Sequence, residues 1–113
     1  MPKLLAALLV GMVSLMLATN DAKADEVMAS CYGAESGGVT ASGSVFDPTG
    51  LTAAHPYLPF GTVLLVSHAG SSVSVTVNDR GPFAGGRGID LSCGAMVALG
   101  VPPGVYLVDT LVL

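Results

Sequence analysis

The sequence predicts a mainly β domain that closes into a small six-stranded barrel carrying one short helix. Three observations lead there. Glycine (15) and proline (7) are frequent in a chain of 113 residues, which breaks it into short elements. Ser72–Asn78 alternates strictly, with Val73, Val75 and Val77 on one face and Ser72, Ser74 and Thr76 on the other. Neither a heptad nor an internal repeat runs through the chain, so a bundle or solenoid is not expected. Closing the sheet removes the edges that a small open sheet would leave unpaired.

The elements follow in order. Met1-Pro2-Lys3 and the uncharged run Leu4–Ala18 form a short basic start and an apolar core, and Ala22-Lys23-Ala24 supplies a small-x-small cleavage pattern. The apolar run is short for a spanning helix, which needs roughly 20 residues. Residues 1–24 are therefore expected to be a signal peptide, removed to leave a non-lipidated domain of residues 25–113 without a stable membrane anchor. An uncleaved anchor or a buried helix is the alternative.

Val27–Tyr32 reads as the first strand. Glycines 37, 38, 43 and 50 with Pro48 mark a loop-rich stretch holding short extended pieces at Val39-Thr40 and Val45-Phe46. Thr52–His55 precedes Pro56. Thr62–His68 is mostly apolar, which predicts a strand buried on both faces. A turn at Ala69-Gly70-Ser71 joins it to Ser72–Asn78 as a hairpin. Ile89-Asp90-Leu91 is a short strand. Ser92 is a good N-cap for a helix through Leu99, with Gly100 to end it and Pro102-Pro103 beyond. Val105–Leu113 is the closing strand.

Charge narrows the function. Hydrophobic residues make up 51% and charged residues 11% of the chain, the reverse of a disordered acidic tail. Loss of the leader removes Lys3, Lys23 and Asp21, leaving Arg80 and Arg87 against seven acids, a net charge of −5. Two cations cannot build a nucleic-acid-binding face. Cys31 and Cys93 would form a disulfide in an oxidising compartment, or remain two buried thiols. His55 and His68 do not complete a common zinc pattern with them, so no metal or other cofactor is expected.

The densest polar segment runs from Asn78 to Gly88. Asp79 and Asp90 flank it, each beside apolar strand residues. Two carboxylates in a partly apolar cleft tend to have their pKa values pushed apart, so that one can act as general acid. A helix start beside Asp90 favours its ionised form and leaves Asp79 the better proton donor. Structural duties are the alternative: Asp79 capping the Arg80-Gly81 turn, Asp90 capping the helix. His55 is either a packed imidazole or a proton-handling group, and His68 a solvated loop residue. Arg80 and Arg87 either pair with the aspartates or form a cationic rim for substrate. Tyr32, Tyr57, Phe60 and Phe83 are aromatics able to stack on a sugar.

Ala29-Ser30-Cys31-Tyr32-Gly33, Thr40-Ala41-Ser42-Gly43, Leu51-Thr52-Ala53-Ala54-His55, Leu58-Pro59-Phe60-Gly61-Thr62, Asn78-Asp79-Arg80-Gly81-Pro82-Phe83 and Ile89-Asp90-Leu91-Ser92 together resemble the rare lipoprotein A (RlpA) family of lytic transglycosylases. The resemblance spans about Val27 to Leu113. It implies a six-stranded double-psi β-barrel, shared with expansins, and a groove for a glycan strand. It further implies cleavage of the β-1,4 bond between N-acetylmuramic acid and N-acetylglucosamine in peptide-stripped peptidoglycan, leaving a 1,6-anhydro end. Asp79, His55 and Asp90 match the family's polar groove positions, with Asp79 the expected acid/base. Tyr32, Thr40, Ser44, Thr52, Arg80 and Arg87 are the expected substrate contacts. Ser44 stands where the family usually has an acid. The implied setting is the periplasm or envelope, with a monomer acting on glycan strands; a non-catalytic, expansin-like wall-binding module is the alternative.

Overall fold

The computed structural model describes residues 24–33, 38–83 and 85–113. The expected leader lies outside the described residues except for its last position. The elements are β1 (Asp25–Tyr32), β2 (Thr52–Ala54), β3 (Val63–His68), β4 (Ser71–Asp79), β5 (Ile89–Ser92), α1 (Cys93–Leu99) and β6 (Tyr106–Val112). The strands close into a barrel in the order β1-β5-β2-β4-β3-β6. β1 with β5 and β2 with β4 pair in parallel; the other neighbours are antiparallel.

The barrel interior is the inward half of each strand's alternation. Val73, Val75 and Val77 point in from β4, Leu64 and Val66 from β3, Ile89 and Leu91 from β5, and Val108 from β6, all buried. Met96 and Leu99 of α1 join the same core. β3 departs from the expectation of burial on both faces. Leu64 and Val66 are buried, whereas Val63 and Leu65 are half-buried, because a barrel strand has only one inward face. The extended pieces before β2 reduce to a single bridge between Val39 and Val45, both exposed.

Local signals set the ends of elements. The Ser92 side chain accepts the Ala95 N–H, and the Gly100 N–H closes the helix onto Val97 O with φ 100°. Gly94 lets α1 press on the preceding loop: its N–H donates to Pro48 O, and a Cβ there would stand 2.6 Å from Thr49 Cα. Cys31 and Cys93 form a disulfide, with Cα atoms 4.9 Å apart, tying β1 to the first residue of α1.

The β3–β4 turn is two residues long, Ala69-Gly70, since Ser71 already belongs to β4 and pairs with His68. Both turn residues have positive φ, 49° and 86°. That suits a type I′ hairpin, in which alanine is a poor occupant of the first position. Ala69→Asn is expected to raise stability by about 1 kcal/mol, measured by urea denaturation with an unchanged m-value.

Candidate active site

The site is built on the outer face of four neighbouring strands. In register, Ser30 of β1 stands beside Asp90 of β5, Asp90 beside Ala54 of β2, and Ala54 beside Asp79 of β4. Asp79 and Asp90 thus flank Ala54 from either side, with Cα atoms roughly 10 Å apart at ordinary strand spacing. A bulge brings them to one face. The β2–β4 register shifts between Ala53 and Ala54, so that Ala53 pairs with Val77 but Ala54 with Asp79. Unbroken alternation would have put Asp79 inside with Val73, Val75 and Val77. The extra residue, Asn78, turns it outward to join Asp90.

Asp79 is held by its main-chain neighbours. Its Oδ1 accepts N–H donors from Ala41 and Arg80, both at 2.9 Å. A proton carried by this carboxyl therefore belongs on Oδ2. The Ala41 bond also docks the Thr40–Ser44 loop, as does the bond from Ser42 N–H to Asn78 O. Within that loop, Thr40 and Ser44 hydroxyls are 2.9 Å apart and each contacts Ser42 Oγ. Thr40 is buried, and Ser44 sits at the exposed end of this hydroxyl cluster.

Asp90 has a different partner. Ser30 Oγ donates to Asp90 Oδ1 at 2.6 Å, and Arg87 Nη1 donates to Ser30 Oγ at 2.8 Å. Arg87 reaches the carboxylate through a serine rather than directly. Sequence reasoning missed Ser30, although period-two alternation on β1 places it on the same face as Tyr32. It also missed Phe46, whose ring stacks on Tyr32 with centroids 4.6 Å apart and planes 15° from parallel. The Tyr32 hydroxyl is buried and completes no hydrogen bond of ordinary geometry, although it faces Asp79 closely. Burial, then the charges of Asp79 and Asp90, hold the phenol far above its usual pKa.

The remaining expected residues lie further out. Arg80 Nη1 donates to the carbonyls of His55 (3.0 Å) and Leu58 (2.7 Å), and its guanidinium lies 4.1 Å over the Phe60 ring. These contacts clamp the 55–60 loop to the end of β4. Thr52 lies on the outer face of β2 beside Thr76, and its Oγ1 is buried without a hydrogen-bond partner. Tyr57, Phe60 and Phe83 are all exposed, Phe60 with one ring face under the Arg80 guanidinium. His68 Nδ1 lies 3.0 Å from Leu107 O, away from the aspartates.

His55 meets the site through its backbone: its N–H donates to Asp79 O at 3.1 Å. The imidazole turns back on its own loop, where Nδ1 accepts N–H from Tyr57 (3.2 Å) and Leu58 (3.1 Å). The ring lines a cavity of about 180 Å³ with Asp25, Tyr57, Leu64 and Thr110, to which neither candidate aspartate contributes. Because Nδ1 accepts twice, the neutral ring carries its proton on Nε2. Burial, then the positive charge of Arg80, lower its pKa, with Asp25 opposing.

The sign of the pH effect follows. The unfolded chain binds a proton near pH 6.5, before the folded chain does, so stability is full above that pH and falls as pH drops toward the folded value. The thermal midpoint is expected to fall between pH 7 and 5, and His55→Gln is expected to flatten that slope.

Fold and site together define a double-psi β-barrel domain with a carboxylate-bearing outer face. The chain belongs to the lytic transglycolase family of RlpA-like double-psi barrels, whose family model matches residues 24–109. Among its relatives are probable endolytic peptidoglycan transglycosylases RlpA of Synechocystis sp., 56% identical over 64 residues, and of Treponema pallidum, 47% identical over 91 residues. These alignments cover 55% and 77% of this chain but only 20% and 28% of the relatives. The endolytic peptidoglycan transglycosylase RlpA of Yersinia pestis is 48% identical over 77 residues, 66% of this chain and 21% of the relative. The chain thus spans about a quarter of the length of the curated relatives it matches. Among solved structures, the Streptomyces papain inhibitor superposes with a TM-score of 0.64 over 80% of this chain and 94% of its own, at 22% identity, a likeness of fold alone.

Proposed function

We propose that this domain is an endolytic peptidoglycan lytic transglycosylase, cleaving the N-acetylmuramic acid–N-acetylglucosamine β-1,4 bond of peptide-stripped strands. The observation that carries this reading is the bulge that turns Asp79 onto the outer face beside Asp90, on a barrel whose family is that of lytic transglycolases. The names of its relatives point to the same substrate. On this reading residues 1–24 are an export leader, and residues 25–113 work as a monomer in the envelope.

The chemistry needs no attacking water. Asp79, protonated on Oδ2, gives its proton to the glycosidic oxygen as the bond to the muramic acid C1 breaks. The resulting carboxylate then takes the proton from that sugar's C6 hydroxyl while O6 bonds to C1, closing the 1,6-anhydro ring. The acid is regenerated and the balance is complete. This differs from ordinary glycosidases, in which a second carboxylate activates water or attacks the sugar. Asp90, supported by Ser30 and Arg87, stabilises positive charge developing at C1. His55 positions Asp79 through the backbone bond between them.

A second reading, a non-catalytic glycan-binding or expansin-like module, is favoured by Ser44. A hydroxyl held by Thr40 and Ser42 occupies the position where an acid was expected. Incubation of the purified domain with peptide-free strands, followed by mass spectrometry, separates the two. Anhydro-ended fragments support the enzyme; retained binding to sacculi without fragments supports the module.

A further inference from the structure

The His55 imidazole is a polar group that the proposed chemistry leaves unused. It lines the cavity at the end of the barrel where Asp79 stands: β4 and β6 finish there, and β1 and β3 begin there, as their pairing requires. The ring is fixed in place. Nδ1 accepts the N–H groups of Tyr57 and Leu58, and the Tyr57 ring stands 85° to it with centroids 4.6 Å apart. Burial, then the charge of Arg80, keeps the ring neutral at pH 7, so Nε2 carries a hydrogen. That N–H has no hydrogen-bond partner among the described residues. Asp25, on the same cavity, uses its backbone oxygen to accept the Thr110 hydroxyl at 3.2 Å, and its carboxylate also has no partner among the described residues. A free donor, a free acceptor and the apolar side chains of Leu64, Leu111 and Val112 thus line one space of about 180 Å³. Sites that enclose a whole small molecule run to roughly 300–1,000 Å³, so this one suits a single substituent.

We infer that this cavity is a recognition pocket for a secondary amide, the acetamido group of an N-acetyl sugar. A planar amide presents its C=O and its N–H on opposite edges. The amide oxygen accepts from His55 Nε2, the amide N–H donates to the Asp25 carboxylate, and the methyl lies against Leu64, Leu111 and Val112. Asp25 acts on His55 through its charge and not through a hydrogen bond, which leaves both free for a group between them. An anionic substituent would be repelled by Asp25, and a bare hydroxyl would leave the apolar wall unfilled. A peptide bond offers the same two polar atoms but continues on both sides, which a pocket for one substituent does not admit. This rests on the proposed glycan substrate and sharpens it: the pocket reads the N-acetyl substituent while Asp79 acts on the glycosidic bond. It also recasts His55, whose ring donates a hydrogen bond and exchanges no proton.

The test is displacement of bound peptide-free strands by two neutral β-1,4-linked tetramers, one of N-acetylglucosamine and one of glucose, with tri-alanine as a source of peptide amides. The acetylated tetramer should displace strands about tenfold better than the glucose tetramer, as for one or two hydrogen bonds gained. It alone should shift the His55 Nε2 resonance. His55→Asn should remove most of that advantage, because asparagine Oδ1 can accept the Tyr57 and Leu58 N–H groups while nothing replaces the Nε2 donor. Asp25→Ala, at the exposed first residue of β1 and with the backbone bond to Thr110 kept, should reduce it as well. Equal displacement by the two tetramers, or an unmoved Nε2 resonance, would overturn the inference. So would an advantage undiminished in either variant, folded by circular dichroism, or tri-alanine matching the acetylated tetramer. If the unsubstituted protein binds no strands at all, the proposed function fails with the inference; if it binds them and the acetamido groups make no difference, the inference alone fails.

Discussion

Asp79→Asn is expected to lower release of anhydro-ended fragments by about 10²–10⁴-fold, the usual worth of a positioned general acid/base. The geometry makes the substitution clean. Asp79 uses Oδ1 to accept the Ala41 and Arg80 N–H groups, and an asparagine oxygen can accept both. The Thr40–Ser44 loop therefore stays docked and the thermal midpoint should hold within a few degrees. Only the atom at Oδ2 changes, from one that can carry an acidic proton to an amide that cannot deliver it. Asp90→Asn should lower turnover less, since that residue is assigned charge stabilisation and its bond from Ser30 survives. Time courses by mass spectrometry, with circular dichroism as a folding control, read both. Turnover surviving in Asp79→Asn but lost in Asp90→Asn would exchange the two roles.

The second large effect concerns stability. Opening the Cys31–Cys93 bridge, by reduction or by Cys31→Ala with Cys93→Ala, is expected to cost about 4 kcal/mol. The figure follows from the loop it closes, with the cysteines 62 positions apart, in the chain-entropy account of cross-links. A domain of this size has little core with which to offset that loss. At roughly 4–8 °C per kcal/mol, the midpoint should drop by about 15–30 °C. The site would feel it too, because Cys31 lies between Ser30 and Tyr32, and Cys93 follows the strand that carries Asp90. A drop of under 5 °C on reduction would show that barrel closure alone holds these elements together.

Much of the fold was legible in the residues. Ser92 and Gly100 bound α1 because capping is local chemistry, complete within a few residues. The valines of β4 announced both its period and its inward face. The turn residues located the hairpin to within one position. The candidate aspartates were singled out by their apolar neighbours and the polar loop between them. The resemblance of six short motifs pointed to the barrel type and the family, and the family match agrees.

Other features were beyond the reach of a linear reading. Arg80 was weighed as a partner of Asp79 or as part of a substrate rim, but its Nη1 is bound to the carbonyls of His55 and Leu58. Those acceptors lie more than twenty positions earlier in the chain. His55 was grouped with the aspartates, yet its ring faces Asp25 and the cavity while only its backbone reaches Asp79. Side-chain direction at the end of a strand is set by what packs there, and neighbours in sequence do not reveal it.

By itself, the sequence determined the order of the main elements, the caps of α1 and the inward face of β4 up to Val77, because alternation, caps and turns act over a few residues. The tertiary structure alone decided that β2 lies between β4 and β5, so that Ala54 touches both Asp79 and Asp90. It alone decided the bulge at Asn78. Strict alternation would bury Asp79 with the valines; pairing against the short β2 shifts the register and turns the carboxylate outward. Strand pairing is a contest among distant segments for backbone hydrogen bonds, and its outcome is a property of the closed barrel rather than of any one stretch of chain.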